Sequence, residues 1–328
     1  MDVENIPFAQ ALAETEGRRR HLLVGNGFSM AVHSGFGYRR LYDEAARVDP
    51  GVAPLFEGHD ADFEKAIGGA AEADRARIRA AFIGALVKVH PRIKYIAPGS
   101  REACGRFLED FAGLIRGPER RGRVFTTNYD LLLYWVLMHN KEALELYDGF
   151  DADLVWSVAR ASATYVFYLH GAVHHFESSV GFVKPSMEQW KLRWRESASL
   201  IEQVRIKVDQ GHFPVFVSEG TSTEKRYRIG RNAYLKTALR EFGKSCNEPE
   251  AAVFTIGHSL AAVDEHITDL IGAGSADVYL GAFDEAAGRR ARYVAGAWAA
   301  RREAAGQAPL RVRLFCSEGL PIWRPAPL

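Results

Sequence analysis

Apolar residues along this chain gather in short runs rich in β-branched and aromatic side chains. Each run is followed by small residues and then by a stretch of helical period. The runs are His21–Val24, Arg123–Phe125, Tyr165–Leu169, Pro214–Val217, Ala252–Ile256, Val278–Leu280 and Val312–Phe315. Short apolar runs bounded by turn residues read as strands, and strands alternating with helices read as a mostly parallel sheet. The predicted class is α/β: a Rossmann-like, mostly parallel sheet with helices on both faces. The spacing is uneven, because almost a hundred residues separate the first two runs, too many for one crossover helix. Ile78, Phe82 and Leu86 recur every four residues, and Phe107, Phe111, Leu114 and Ile115 form a second stripe. Residues 40–118 therefore read as a helical insertion, broken by the loop Ala97-Pro98-Gly99-Ser100. Residues 174–212 read as a second, smaller insertion, and 1–328 as a single α/β domain.

Composition narrows the function classes. The chain has 328 residues, and 42 Lys+Arg against 41 Asp+Glu give a net charge of +1. Binding to nucleic acid phosphates needs a positive excess that the total does not show, so a nucleic-acid partner is not expected. At 47% hydrophobic residues the chain can build a sizeable core and is not predicted to be disordered. Cys104, Cys246 and Cys316 stand far apart, so neither a disulfide framework nor a zinc module of paired cysteines can be assembled. The longest apolar run, Leu131 to Met138, is far short of a membrane span. The opening Met1-Asp2-Val3-Glu4 lacks a basic-then-apolar signal segment. The expectation is a soluble cytoplasmic protein with no membrane partner.

Two charged stretches have bland explanations. Trp190-Lys191-Leu192-Arg193-Trp194-Arg195 interleaves basic and aromatic residues, as a nucleic-acid clamp would. Its tryptophans are four residues apart, and with a neutral total an amphipathic helix with one buried face is the expectation. Gly288-Arg289-Arg290-Ala291-Arg292 to Arg301-Arg302 reads as the solvated face of the last long helix.

The chemistry lies in the turns that leave the strands. These are Gly25-Asn26-Gly27-Phe28-Ser29, Thr126-Thr127-Asn128-Tyr129-Asp130, His170-Gly171, Ser218-Glu219-Gly220-Thr221-Ser222 and Gly257-His258-Ser259-Leu260. In an open α/β sheet, ligands bind outside the carboxyl ends of the strands, where all five turns would converge. Gly25-Asn26-Gly27 suits a phosphate cradle or, equally, a tight turn with no ligand, since Met30 stands where a third glycine would belong. Gly243-Lys244-Ser245 is not a phosphate loop, because Ala238 replaces the first glycine. Asn128 and Asp130 could cap the helix Leu131–His139, although one cap does not explain the whole polar cluster. His170 ends a strand before a glycine and is a candidate general base. His170, His174 and His175 have no carboxylate or cysteine at ligand spacing, and no metal is expected.

In this order the motifs resemble the sirtuin family, and more closely the sirtuin-like modules of bacterial antiphage NAD hydrolases. Gly25-Asn26-Gly27-Phe28-Ser29 is similar to the family's Gly-Ala-Gly-X-Ser pyrophosphate loop, and Thr126 to Asp130 to its Thr-Gln-Asn-Ile-Asp. His170-Gly171 matches its catalytic His-Gly. Phe213 to Glu219 is similar to its strand ending Phe-Gly-Glu, and Gly257 to Leu260 to its Gly-Thr-Ser-Leu. The chain departs in lacking any cysteine between 104 and 246, where family deacylases carry a four-cysteine zinc module. Gly35-Phe36-Gly37-Tyr38-Arg39-Arg40 only loosely echoes their Gly-Ile-Pro-Asp-Phe-Arg. The NAD half is thus better kept than the peptide half.

The resemblance implies NAD as the substrate, cleaved to nicotinamide and ADP-ribose without a metal. Asn128, Asp130 and His170 would be catalytic. Gly25, Asn26, Gly27, Phe28, Ser29, Thr126, Glu219, Gly257 and Ser259 would bind the nucleotide. It also implies a silent state released by homo-oligomer formation or by a separate activating protein. Two other classes stand beside this reading. One is an NAD or ADP-ribose sensor without turnover. The other is a serine esterase in which Gly257-His258-Ser259-Leu260-Ala261 is a nucleophile elbow. That fold needs an acid and then a histidine after the serine. Only Asp264, Glu265 and His266 follow in that order, too close together to come from separate loops.

Overall fold

The computed structural model describes residues 3–180, 186–194, 199–218 and 220–324. Its strands in chain order are β1 (Asn5–Ile6), β2 (Arg19–Val24), β3 (Val124–Thr126), β4 (Val166–Tyr168), β5 (His175–Val180), β6 (Ser186–Lys191), β7 (Ala251–Ile256), β8 (Asp277–Ala282) and β9 (Val312–Cys316). Seven form one sheet in the order β1-β9-β8-β7-β2-β3-β4. Every neighbouring pair is parallel. β5 and β6 form a separate antiparallel hairpin.

The sheet is α/β because both its faces must be covered. Along β7 every residue is buried, which only helices on both sides allow. Phe254 is in register with Leu22, and through it with Val124, while Phe125 is in register with Leu23. Successive strand residues point to opposite faces, so Phe254 and Phe125 mark the two sides. Phe8 and Phe111, from the helices Phe8–Glu14 and Pro98–Ala112, meet Phe254 at ring centroid distances of 6.4 and 5.3 Å. Phe242, from the helix Ala233–Cys246, meets Phe125 at 4.8 Å.

The chain runs outward from β2 to β3 and β4, then crosses back to β7, β8 and β9. The order therefore reverses between β2 and β7, which pair in register from Arg19↔Ala251 to Val24↔Ile256. Turns leaving two adjacent strands in opposite directions open a crevice between them. The stretch between β2 and β3 holds the helices Tyr38–Val48, Phe63–Gly69, Glu72–Val89 and Pro98–Ala112. The helix Glu285–Ala304 carries Arg289, Arg290, Arg292 and Arg301 on its exposed side.

Three expectations are corrected. Pro214–Val217 does not join the sheet. It is extended but pairs with the turn after β4, where Val215 N–H donates to His175 and Val217 N–H to His170. The edge of β4 beside it is already used, since Tyr168 N–H donates to the Tyr234 hydroxyl at 2.9 Å. The seventh strand of the sheet is instead β1, too short to leave a periodic signal. Trp190-Lys191 closes β6 rather than entering a helix. Residues four apart share a face in a strand as well as in a helix, so the tryptophan spacing could not separate the two. Trp190 stacks on Phe176 of the paired strand at 4.9 Å and its indole N–H donates to Ser178, while Arg195 lies outside the described residues. Pro98 does not break a helix but begins one, at the first-turn position where its missing N–H costs nothing. No helix among the described residues is long and apolar enough to cross a membrane.

Candidate active site

At the reversal between β2 and β7 lies a cleft of about 440 Å³. The turns after β2, β3, β4 and β7 all reach it, through Gly25–Gly27, Thr127–Asp130, His170 and Gly257–Ser259. The helical insertion supplies an apolar wall with Leu41, Phe82 and Leu86.

The glycines of the first and last turns are explained by the contact between those turns. A Cβ on Gly25 would sit 2.6 Å from His258 Cα, and one on Gly27 would sit 2.8 Å from Gly257 Cα. Gly27 N–H donates to the Gly257 carbonyl at 2.9 Å, and Gly257 takes φ +64°, which favours glycine. The pattern read as a phosphate cradle thus also closes two turns backbone to backbone. Phe28 is buried behind the cleft against Trp323, whose indole donates to the Phe28 carbonyl.

Ser29 ties the first turn to the second. Its hydroxyl donates to Asp130 Oδ2 at 2.7 Å and accepts from Asn128 Nδ2 at 2.9 Å. Thr126, fully buried, accepts the Asn128 N–H on its hydroxyl and so fixes the bend after β3. Asp130 Oδ1 accepts from Leu132 N–H, the first residue of the helix Leu132–His139, from one position ahead of the cap residue Leu131, so neither Asn128 nor Asp130 is the cap itself. Burial pushes the Asp130 carboxyl up, against the hydrogen bonds from Ser29 and Leu132 that pull it down. Asn128 Oδ1 is buried without a partner among the described residues. An unsatisfied buried acceptor costs about 1–3 kcal/mol, which a donor on a bound ligand would recover.

Across the cleft stands a group that the sequence motifs do not bring together. His170 Nε2 is 2.9 Å from His266 Nε2 and 3.8 Å from Asp264 Oδ1. Lys225, fully buried, donates to Asp264 Oδ1 at 2.7 Å, and His258 Nε2 is 3.6 Å from Asp264 Oδ2. Ser222 accepts the His266 N–H at 2.7 Å and lies 3.2 Å from its Nδ1. Burial, with Lys225 close by, holds His170 well below the ordinary histidine value. His258 is lowered by burial too, and burial brings His266 down to about 4. Burial pushes the Asp264 carboxyl up, but the positive charge that His170, Lys225 and His258 can carry outweighs it, and with the rings neutral the Lys225 ammonium remains to pair with it. The site at neutral pH is therefore an ion pair surrounded by neutral imidazoles. Asp264 and His266 appear in sequence only as Asp264-Glu265-His266, and a carboxylate and histidine two apart after a strand-end turn were the available signal.

Of the residues singled out in sequence, Gly25, Asn26, Gly27, Asn128, Asp130, His170, Gly257 and Ser259 line the one cleft. Phe28, Ser29 and Thr126 are buried beneath it, and Glu219 lies outside the described residues. His174 and His175 are brought to a different place, buried among Tyr134, Tyr168 and Phe150. The esterase reading fails on geometry. His266 is taken by His170 and Ser222 rather than by Ser259, and the positive φ falls on Leu260 (+51°) instead of the serine.

Comparison with known proteins gives a family model described as "Domain of unknown function (DUF4917)", which matches residues 22–323. No curated protein matches. Similar solved structures include one described as "Structural Basis for the Mechanism and Regulation of Sir2 Enzymes", at 12% identity over 90% of this chain and 97% of that chain, with a TM-score of 0.39. Another is Sir2Tm bound to a propionylated peptide, at 14% identity over 92% and 98%, TM-score 0.39. A Sir2 homologue in complex with NAD matches at 12% identity over 91% and 98%, TM-score 0.37.

Proposed function

The chain belongs to the DUF4917 family, and we propose that its cleft binds NAD and hydrolyses the nicotinamide–ribose bond. The observation that carries this reading is the buried Ser29–Asn128–Asp130 triangle, which shares the cleft with a neutral His170 at the point where the strand order reverses. The resemblance of the five strand-end motifs supplies the substrate.

Cleavage passes through an oxocarbenium-like state, as glycoside hydrolysis does. The C1′–N bond breaks and its electron pair stays on nicotinamide, which leaves neutral. A water oxygen bonds C1′, its proton passes to His170, and ADP-ribose results. In this scheme Asn128 presents its unpartnered Oδ1 to water or a ribose hydroxyl, and Asp130 holds the carboxamide. His170, kept neutral by burial, is free to accept the proton. The turns at Gly25–Ser29 and Gly257–Ser259 hold the phosphates and ribose, with Thr126 beneath them, and Glu219, outside the described residues, is assigned to the nucleotide on the resemblance alone. The apolar wall of Leu41, Phe82 and Leu86 excludes bulk water from the developing cation. No metal enters the scheme. On the same resemblance we place the reaction in antiphage defence, silent until self-assembly or an activating protein releases it.

The test is product analysis after incubation with NAD, comparing wild type with His170→Ala and Asn128→Ala. Nicotinamide and ADP-ribose should appear in equal amounts with wild type and be lost in both variants. Equal release by all three would refute the site. Binding of NAD with no turnover under any activating condition would turn the reading into that of a sensor.

A further inference from the structure

The cluster beside His170, of which Asp264 and His258 also line the cleft, has no role in the hydrolytic scheme, yet it fixes what His170 can do. His170 lines the cleft, and its Nε2 is engaged by His266 at 2.9 Å. The nitrogen left for the cleft is Nδ1, which can accept a proton only if the ring's own hydrogen sits on Nε2. Two neutral imidazoles joined through their Nε2 atoms can order their hydrogens in either direction. In one direction His266 donates and His170 carries its hydrogen on Nδ1, dead as a base. In the other, His170 Nε2–H donates to His266, and His266 Nδ1–H donates to Ser222, 3.2 Å away.

The surroundings choose between them. Asp264 is 3.8 Å from His170 Nε2, and a carboxylate beside one ring nitrogen favours the tautomer with the hydrogen there. The Ser222 hydroxyl already accepts the His266 backbone N–H and keeps a lone pair for the second donor. The other groups around the pair are accounted for. Lys225 binds Asp264 at 2.7 Å and holds it in place. His258 faces Asp264 Oδ2 at 3.6 Å, and its Nδ1 accepts Leu260 N–H, so its own hydrogen is on Nε2. Tyr129 stacks on His170 at 6.3 Å with its hydroxyl committed to the Val217 carbonyl.

We propose that Asp264 and His266 are positioning residues which, with Ser222, hold His170 in the Nε2–H tautomer and leave Nδ1 as the base facing the cleft. This rests on the hydrolase reading for its consequence but not for its geometry. Once His170 takes a proton from water, its positive charge lies between Nδ1 and an Nε2–H that faces Asp264, as in a serine protease triad where the acid orients and stabilises the imidazolium. The same three side chains, His170, Asp264 and His266, bring their donor atoms within 4.8 Å of one another, a spacing a metal ion could also use. The Lys225 ammonium already occupies the carboxylate, which favours the hydrogen-bonded relay.

The first measurement needs no activity. In the full chain with ¹⁵N-labelled histidine, and His170 assigned by its loss in His170→Gln, the ring nitrogens report the tautomer. The expected result is hydrogen on Nε2, and hydrogen on Nδ1 overturns the proposal. The second is kinetic: Asp264→Asn should lower kcat for nicotinamide release by about 100-fold or more, the scale of a lost general base, with KM within about twofold. Asp264→Glu should recover part of the loss, which a purely structural role would not predict. A folded Asp264→Asn with unchanged kcat, or wild-type turnover abolished by a chelator and restored by a divalent metal, overturns it. If wild type cleaves no NAD under any condition, the hydrolase reading falls while the tautomer measurement still decides the relay.

Discussion

At Gly257 the backbone takes φ +64°, and an added Cβ would lie 2.4 Å from Phe28 N. Alanine there combines an unfavourable conformation with a clash against main chain that cannot swing aside. Gly257→Ala should cost well over 1 kcal/mol in denaturant unfolding, beyond the range of a compatible glycine site. A near-neutral result would show that the two turns are not packed backbone to backbone. Ser29 raises a different residue-level question, because its hydroxyl serves two buried partners at once. Ser29→Ala leaves Asn128 and Asp130 each short of one hydrogen bond. The expected cost is about 1–3 kcal/mol of stability, and nicotinamide release should fall at least tenfold as the pair loses its alignment. Full activity in this variant would detach Ser29 from the site.

At the scale of elements, the β5–β6 hairpin shows how a correct burial reading can accompany a wrong conformation. Trp190 is partly buried, as an amphipathic helix would have it, but against Phe176 across an antiparallel pair. Trp190→Ala should lower stability by about 2 kcal/mol through lost aromatic contact. It should leave NAD turnover and any binding of single-stranded DNA unchanged. A selective loss of DNA binding would revive the clamp reading. The insertion between β2 and β3 matters more for function, since its helices Tyr38–Val48 and Glu72–Val89 bring Leu41, Phe82 and Leu86 to the cleft. Its helical stripes were plain in sequence, but their meeting with Tyr129 and Phe216 was not, because no periodicity encodes which surface a stripe will cover.

Across the whole molecule, burial lowers the proton affinity of seven histidines: His21, His90, His170, His174, His175, His258 and His266. Their folded values lie below the ordinary 6.5, so the unfolded chain takes up protons that the native chain refuses. The stability these groups contribute is complete above about pH 7.5 and is lost progressively as the pH falls from about 6.5 toward the folded values, which for His90 and His266 are about 4. A histidine held well below its ordinary value, as His170, His174 and His175 are, adds a slope of up to about 1.4 kcal/mol per pH unit in the acid window. His174 and His175 are the cleanest case, because both rings are buried with neither nitrogen partnered among the described residues. Replacing both by Phe should flatten the acid slope of the unfolding free energy by about 2–3 kcal/mol per pH unit. An unchanged slope would mean that these rings are hydrated in solution.

The sequence by itself determined the elements whose signal is local. Six of the seven predicted strands, the helical insertion and the alignment of polar turns at one end follow from runs, periods and strand-end residues. It also put Asn128, Asp130 and His170 forward as candidates for one cleft, because they come directly after their strands. Strand partnership was beyond it: β1, with two residues, has no period, and Pro214–Val217 has a strand's composition without a free edge to join. Only the tertiary structure decided that Ser29 binds Asn128 and Asp130 from another turn, and that His266 and Asp264 stand beside His170. These contacts link residues about one hundred positions apart: the first joins the turns of the neighbouring strands β2 and β3, and the second reaches across the reversal between β2 and β7. That reversal is a property of how the sheet is wound, not of any stretch of sequence.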